Sequence, residues 1–123
     1  MVNVFIYNIL MSNLHWKVKV ILCISAQDGV ISRSELDTAY KLINDHLGHV
    51  SHQSFEELID EFFNEDYALE EYLLKLNDSD DFQRILEISY KSATSDGLDI
   101  RENLAFDKAC KHWGETLEDY IQD

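Results

Sequence analysis

The sequence predicts an all-α fold built as two related helical units around one core. Three observations carry that prediction. Apolar residues recur at spacings of three and four along most of the chain, and no stretch alternates with the period of two that a strand requires. There is no proline and there are four glycines, so little interrupts regular structure. Finally, the stretch Ala26-Gln27-Asp28-Gly29-Val30-Ile31-Ser32-Arg33-Ser34-Glu35-Leu36 returns as Thr94-Ser95-Asp96-Gly97-Leu98-Asp99-Ile100-Arg101-Glu102. Each copy follows an apolar helical run, makes an Asp-Gly turn and precedes a capping pair.

Taken in order, residues 2–11 predict a short first helix with Phe5, Ile6, Ile9 and Leu10 on one face. Ser12 or Asn13 is suited to cap a second helix running to Ala26, with Leu14, Val18, Ile21, Leu22 and Ser25 on its apolar face. Asp28-Gly29 breaks it. Ser32 and Glu35 then form a capping box, in which each side chain bonds the other residue's backbone N–H. Leu36, Ala39, Tyr40, Ile43 and Leu47 continue that helix, and Gly48 is the expected residue just past its end. Ser54 is expected to open the next amphipathic piece, with Phe55, Leu58, Ile59, Phe62 and Phe63. Asp66 is the expected cap of a helix carrying Ala68, Leu69, Tyr72, Leu73 and Leu76. Residues 77–81 read as an acidic turn whose carboxylates favour the N-terminus of a following helix, 82–94. Asp99 with Glu102 is expected to start a helix through Trp113 that Gly114 ends, and a last short helix follows Thr116.

The two halves align as units of roughly 14–63 and 81–123 within one domain, 1–123. Asp28-Gly29 matches Asp96-Gly97, Ser32 and Glu35 match Asp99 and Glu102, and His46-Leu47-Gly48 matches His112-Trp113-Gly114. The second loop is one residue shorter.

The pattern A-x-D-G-x-I-S-x-x-E-L after an apolar helix, repeated near the C-terminus, resembles the TerB-like domain, the tellurite-resistance family also found fused to J-domain co-chaperones. The resemblance covers nearly the whole chain. It implies a bundle of about seven helices, a role in stress response or complex assembly, and a divalent cation, Ca²⁺ or Mg²⁺, held by acidic turn residues. Onto this sequence it carries Asp28, Glu35, Asp96 and Glu102. The second copy departs from the pattern, because Asn103, not Glu102, stands seven residues after Asp96. Independently of the resemblance, these carboxylates have two readings. They offer hard oxygen ligands, or they bond their own turns and caps. An EF-hand is disfavoured by its ligand positions. With Gly29 at position 6, Ile24 and Ala26 fill positions 1 and 3. With Gly97 there, Ser92 and Thr94 do.

Composition narrows the function classes. Apolar residues make up 46% and charged residues 28%, which is a globular balance. Acidic side chains outnumber basic ones 24 to 10, for a net charge of −14. That disfavours direct contact with nucleic acid or anionic lipid and suits a cation or a basic protein partner. The doublets Glu56-Glu57, Asp60-Glu61, Glu65-Asp66 and Glu70-Glu71 lay a negative stripe along one or two helices. It is either a solvated face or a docking surface; the nearby Phe62, Phe63, Tyr67 and Tyr72 are expected to be mostly core by their spacing, with some suited to anchor such an interface. His46 and His112 sit near predicted helix C-termini, where an imidazolium suits the dipole. His49 and His52 lack the partners of a zinc site. Cys23 and Cys110 are isolated on apolar faces, so core roles and a cytoplasmic setting are expected. The N-terminus lacks the basic region of a signal peptide, and the run Val18 to Ala26 is too short to span a bilayer. No nucleophile elbow, phosphate-cradling loop or Cys–His pair is present, so the expected function is non-enzymatic. The alternative is an inhibitor that mimics nucleic-acid charge and binds a basic enzyme.

Overall fold

The computed structural model describes residues 4–27, 29–76 and 81–121, with residues 4–12 described through their backbone. The expected face of Phe5, Ile6, Ile9 and Leu10, and Asp78 and Asp80 of the acidic turn, lie outside the described side chains. Among the described residues there are six α-helices and no strand. They are α1 (Val4–Ser25), α2 (Arg33–His46), α3 (His52–Asn64), α4 (Leu69–Leu74), α5 (Phe82–Ala93) and α6 (Leu104–His112). Short 3₁₀ turns occupy Ile100–Glu102 and Leu117–Asp119.

The first two predicted helices are one. Helix α1 runs 22 residues without a break at Ser12 or Asn13. No glycine or proline stands there to force a stop, and a cap residue inside a continuous helical pattern does not itself end a helix. From Leu14 onward, α1 is the centre of the fold. Val18, Val20, Ile21, Leu22 and Ile24 are all buried, although they point around the whole helix. A helix apolar on every side needs neighbours on every side. Here α5, α3 and α4 supply most of that cover, with α2 and α6 completing it. Helix α5 also packs on α2, and α6 closes against α5 and α4.

Side chains from all six helices join one apolar cluster, including Ile43, Phe55, Leu58, Tyr72, Ile85, Leu86 and Phe106. Each fully buried Leu or Ile contributes about 1.5–3 kcal/mol relative to exposure, so this cluster is the main force holding the helices together.

Helix ends follow local chemistry, with three departures from expectation. Ser32 and Glu35 form the predicted capping box: Glu35 N–H donates to Ser32 Oγ at 3.1 Å, and Ser32 N–H donates to Glu35 Oε1 at 2.9 Å. Helix α3, however, is capped by Ser51, whose Oγ accepts from Ser54 N–H at 3.1 Å. Ser54 therefore receives the cap instead of providing it. Asp66 does not cap α4. Residues 65–68 form no helical turn, Ala68 takes the cap position, and Glu71 Oε1 accepts from Ala68 N–H at 3.5 Å. Gly48 is not left-handed. A Cβ there would meet Leu14 Cδ2 at 3.2 Å, so close approach to α1 is what favours glycine. Gly114 does end α6 in the left-handed region (φ +73°), with Glu115 N–H reaching back to Cys110 O at 2.8 Å. Among the described residues, no helix is long and apolar enough to cross a membrane.

Candidate functional site

The two glycine turns have the same form. Gly29 N–H donates to Ala26 O at 2.8 Å and Gly97 N–H to Thr94 O at 3.0 Å, and both glycines have φ +91°. Only glycine takes that conformation at little cost. After the turns the copies diverge. Asp99 accepts from Arg101 N–H at 2.9 Å and so closes the 3₁₀ turn Ile100–Glu102. The α-helix starts only after Asn103, whose Oδ1 accepts from Phe106 N–H at 2.8 Å. The expected Asp99–Glu102 start of that helix is thus corrected: Asn103 is its cap. Asparagine is among the best N-cap residues, and that was the signal available for it.

Short polar side chains tie the two turn regions together. Gln27 Nε2 donates to Glu102 O at 3.1 Å, and Gln27 Oε1 accepts from Ala105 N–H at 3.4 Å. Asn103 Nδ2 donates to Ile24 O at 3.0 Å. Ser34 Oγ donates to Ser95 Oγ at 3.0 Å. Buried Ser92 donates to Glu35 O at 2.9 Å, so its single proton is used and Ser25 is the donor in the Ser25–Ser92 contact at 3.0 Å.

A cleft of about 210 Å³ lies at this junction, walled by Gln27, Glu35, Asp99, Glu102 and Asn103 among others. Glu35 and Glu102 therefore line the same space. Asp96 is exposed in its turn and is not part of that wall, whereas Asp99, not singled out as a ligand, is. Asp28 lies outside the described residues. Among the described residues, no group of three His, Cys, Asp or Glu side chains converges on a shared metal position.

The acidic stripe sits on α3, the segment after it, and α4. Glu56, Glu57, Asp60, Glu61, Asp66, Glu70 and Glu71 are exposed. Beneath their edge lies a buried cation. Lys19, 4% exposed, donates to Glu65 Oε1 at 2.5 Å and reaches Glu61 at 3.5 Å. Its ammonium also lies 5.1 Å from the Trp16 ring centroid. Tyr72 O–H donates to the other Glu65 oxygen at 2.7 Å. Burial by itself would raise the Glu65 carboxyl, but the bonds from Lys19 and Tyr72 and the Lys19 charge outweigh it and hold Glu65 below its ordinary value. Burial, reinforced by Glu65, pushes the Tyr72 hydroxyl far up, so it stays a donor. A lysine between Val18 and Val20 in the apolar run of α1 was the sequence signal for this pairing, because a buried ammonium requires a carboxylate.

An aromatic cluster adjoins that ion pair. The Phe62 and Tyr72 centroids are 6.0 Å apart. Phe63 meets Phe62 edge-on at 5.2 Å, and Tyr67 meets Tyr72 edge-on at 5.7 Å. Tyr72 is buried in the core and Phe62 is half-buried against it, whereas Phe63 and Tyr67 depart from the expected core placement and are each 50% exposed.

The remaining candidate groups are structural in placement. Burial first, and Glu70 second, pushes the Cys23 thiol up to about 11, and burial with nearby carboxylates pushes Cys110 up to about 12. Such thiols are poor nucleophiles. His46 and His112 are the last residues of α2 and α6, and both are exposed. His52 stacks on Tyr40 at 4.2 Å, whereas His49 lines a groove beside α1. Compared with known protein families, with curated proteins and with solved structures, the chain matches none.

Proposed function

We propose that this chain is a non-enzymatic acidic binding module that receives a basic partner protein on the face formed by α3 and α4. The observation that carries this reading is the run of exposed carboxylates from Glu56 to Glu71. Among the described residues, ion pairs on this face join Lys19 to Glu61 and Glu65, and Lys108 to Glu70. The other carboxylates of the run face solvent, and their potential attracts a positively charged surface. Binding of a synthetic lysine-rich helical peptide, followed by fluorescence anisotropy at two salt concentrations, tests this. Glu57→Lys with Asp60→Lys is expected to weaken binding about tenfold or more, while the charge-matched pair Asp37→Lys with Glu118→Lys changes it about twofold at most. Equal losses in both variants would reduce the effect to net charge alone and sink the proposal.

The TerB-like reading is the second part of this proposal. Its supports are the matching glycine turns and the shared cleft that takes in Glu35 and Glu102. On that reading the two halves are pseudo-symmetric, Ca²⁺ or Mg²⁺ neutralises the junction, and the module serves stress response or complex assembly. A rise in melting temperature with either ion supports the cation part. A nucleic-acid mimic would use the same acidic face but differ in one respect: its partner would be displaced by duplex DNA or by RNA.

A further inference from the structure

The acidic face ends in an aromatic patch, and the two features together define a more specific partner. We infer that the segment bound there is a basic amphipathic helix that seats an apolar side chain between Phe63 and Tyr67. This rests on the proposed binding of a basic partner and names the chemistry of that partner.

Glu56, Asp60 and Phe63 stand at i, i+4 and i+7, one line along α3. That line is about 10 Å long at 1.5 Å per residue. Carboxylates therefore lead directly to an exposed ring, and Tyr67, three residues past the end of α3, adds a second exposed ring to the same aromatic cluster through Tyr72 and Phe62. A facing helix repeats at the same pitch, so cations one and two turns from an apolar residue match the carboxylates while that residue meets the rings. The rings are already positioned. Phe63 rests on Phe62, and Tyr67 rests on Tyr72, whose hydroxyl is fixed by Glu65, itself held by Lys19. Rings with few free torsions lose little entropy when covered, which favours them as interface anchors.

Other occupants conflict with the charge. A second copy would bring the same carboxylates against themselves. Nucleic acid and an anionic bilayer are repelled by a chain of net charge −14. A small cation neutralises carboxylates but leaves both rings in water. A basic polypeptide with one apolar residue satisfies both features.

The experiment uses two synthetic helical peptides of equal lysine content, one with leucine at the anchor position and one with serine. With the wild-type protein, the leucine peptide is expected to bind about tenfold tighter, the scale of covering one such side chain. Phe63→Ser with Tyr67→Ser should abolish that preference while leaving the affinity and salt dependence of the serine peptide unchanged. Phe63→Ser alone, with circular dichroism to verify the fold, should reduce it partway. Glu57→Lys with Asp60→Lys should weaken both peptides and preserve their ratio. Equal binding of the two peptides to the wild-type protein overturns the aromatic anchor and leaves the charge reading intact. A preference that survives the double serine variant also overturns it. No binding of either peptide at low salt sinks both readings.

Discussion

Lys19 is the residue on which the placement of α3 and α4 turns. Its ammonium is more deeply buried than either carboxylate it meets, with side-chain exposures of 5% for Lys19, 22% for Glu65 and 57% for Glu61. Removing the two partners is therefore unequal. Glu65→Ala leaves a buried ammonium with the longer Glu61 contact and the Trp16 ring, and about 3 kcal/mol of stability should be lost. Lys19→Met keeps the apolar stem and lets Glu65 turn to water, so the loss should be smaller, about 1 kcal/mol. Urea denaturation of both variants checks the order, and the reverse order would mean the ammonium is not the costly group. The pair also predicts an acid limb. Glu65 is held below 4.5, its ordinary value, so the folded state takes up its proton later than the unfolded chain. The stability it contributes is complete above that value and is lost as pH falls through the lowered one. Stability measured from about pH 5 downward should accordingly fall less steeply in Glu65→Gln than in the wild type. Glycines divide in a similar way by cause. Gly97→Ala meets no atom within 4 Å and is penalised only for its backbone, by about 1–2 kcal/mol. Gly48→Ala presses on Leu14 instead. Adding Leu14→Ala should relieve part of the Gly48→Ala penalty and leave the Gly97→Ala penalty unchanged, a double-mutant cycle that separates sterics from strain.

At the scale of elements, what was legible followed periodicity and glycine chemistry. The apolar spacing located α2, α3, α5 and the core face of α1, and the Asp-Gly turns ended α1 and α5 where expected. What was not legible depended on competition between neighbours. Ser51 and Ser54 are equally good caps in isolation, and burial of Val50 and Phe55 decides between them by fixing where α3 meets the core. Ser12 and Asn13 were overridden because α1 continues helical through them. In the second unit, Asp99 is exposed, whereas Asn103 is buried and bonds both Phe106 N–H and Ile24 O, so tertiary contact chooses the asparagine. The candidate face was half legible: its acidic doublets stand in the sequence, but the exposure of Phe63 and Tyr67 against the burial of Tyr72 and partial burial of Phe62 needed the fold. Asn103→Ala should cost about 2 kcal/mol by losing a cap and a buried bond, and Asp99→Ala under about 1 kcal/mol. Hydrogen exchange in the first turn of α6 reads the difference directly. Were Asp99 the effective cap, its variant would show the faster exchange.

For the whole molecule, the central fact is a charge of −14 gathered on a bundle whose apolar core is continuous. Self-repulsion among so many carboxylates opposes the compact state, and any ion that screens it stabilises the fold. At physiological ionic strength screening acts within about 8 Å, so ordinary salt already recovers most of the long-range part. This separates two effects of a divalent cation. Ca²⁺ or Mg²⁺ added to a solution held at constant ionic strength with NaCl should raise the melting temperature only through a specific site. If the cleft between the turns holds the ion, the rise saturates with concentration, as linked binding requires. Asp99→Ala with Glu102→Ala, which removes two carboxylates from the wall of that cleft, should then abolish it, whereas Asp96→Ala, outside the wall, should leave most of it. Charge reversal on α3, far along the chain from both turns, should leave the rise unchanged. A rise that grows without saturation, or that the α3 variant removes and the cleft variant does not, would place the ion on the acidic stripe instead of between the turns. No rise at all in the wild type would remove the cation from this chain's function and leave the acidic face to act on protein partners alone.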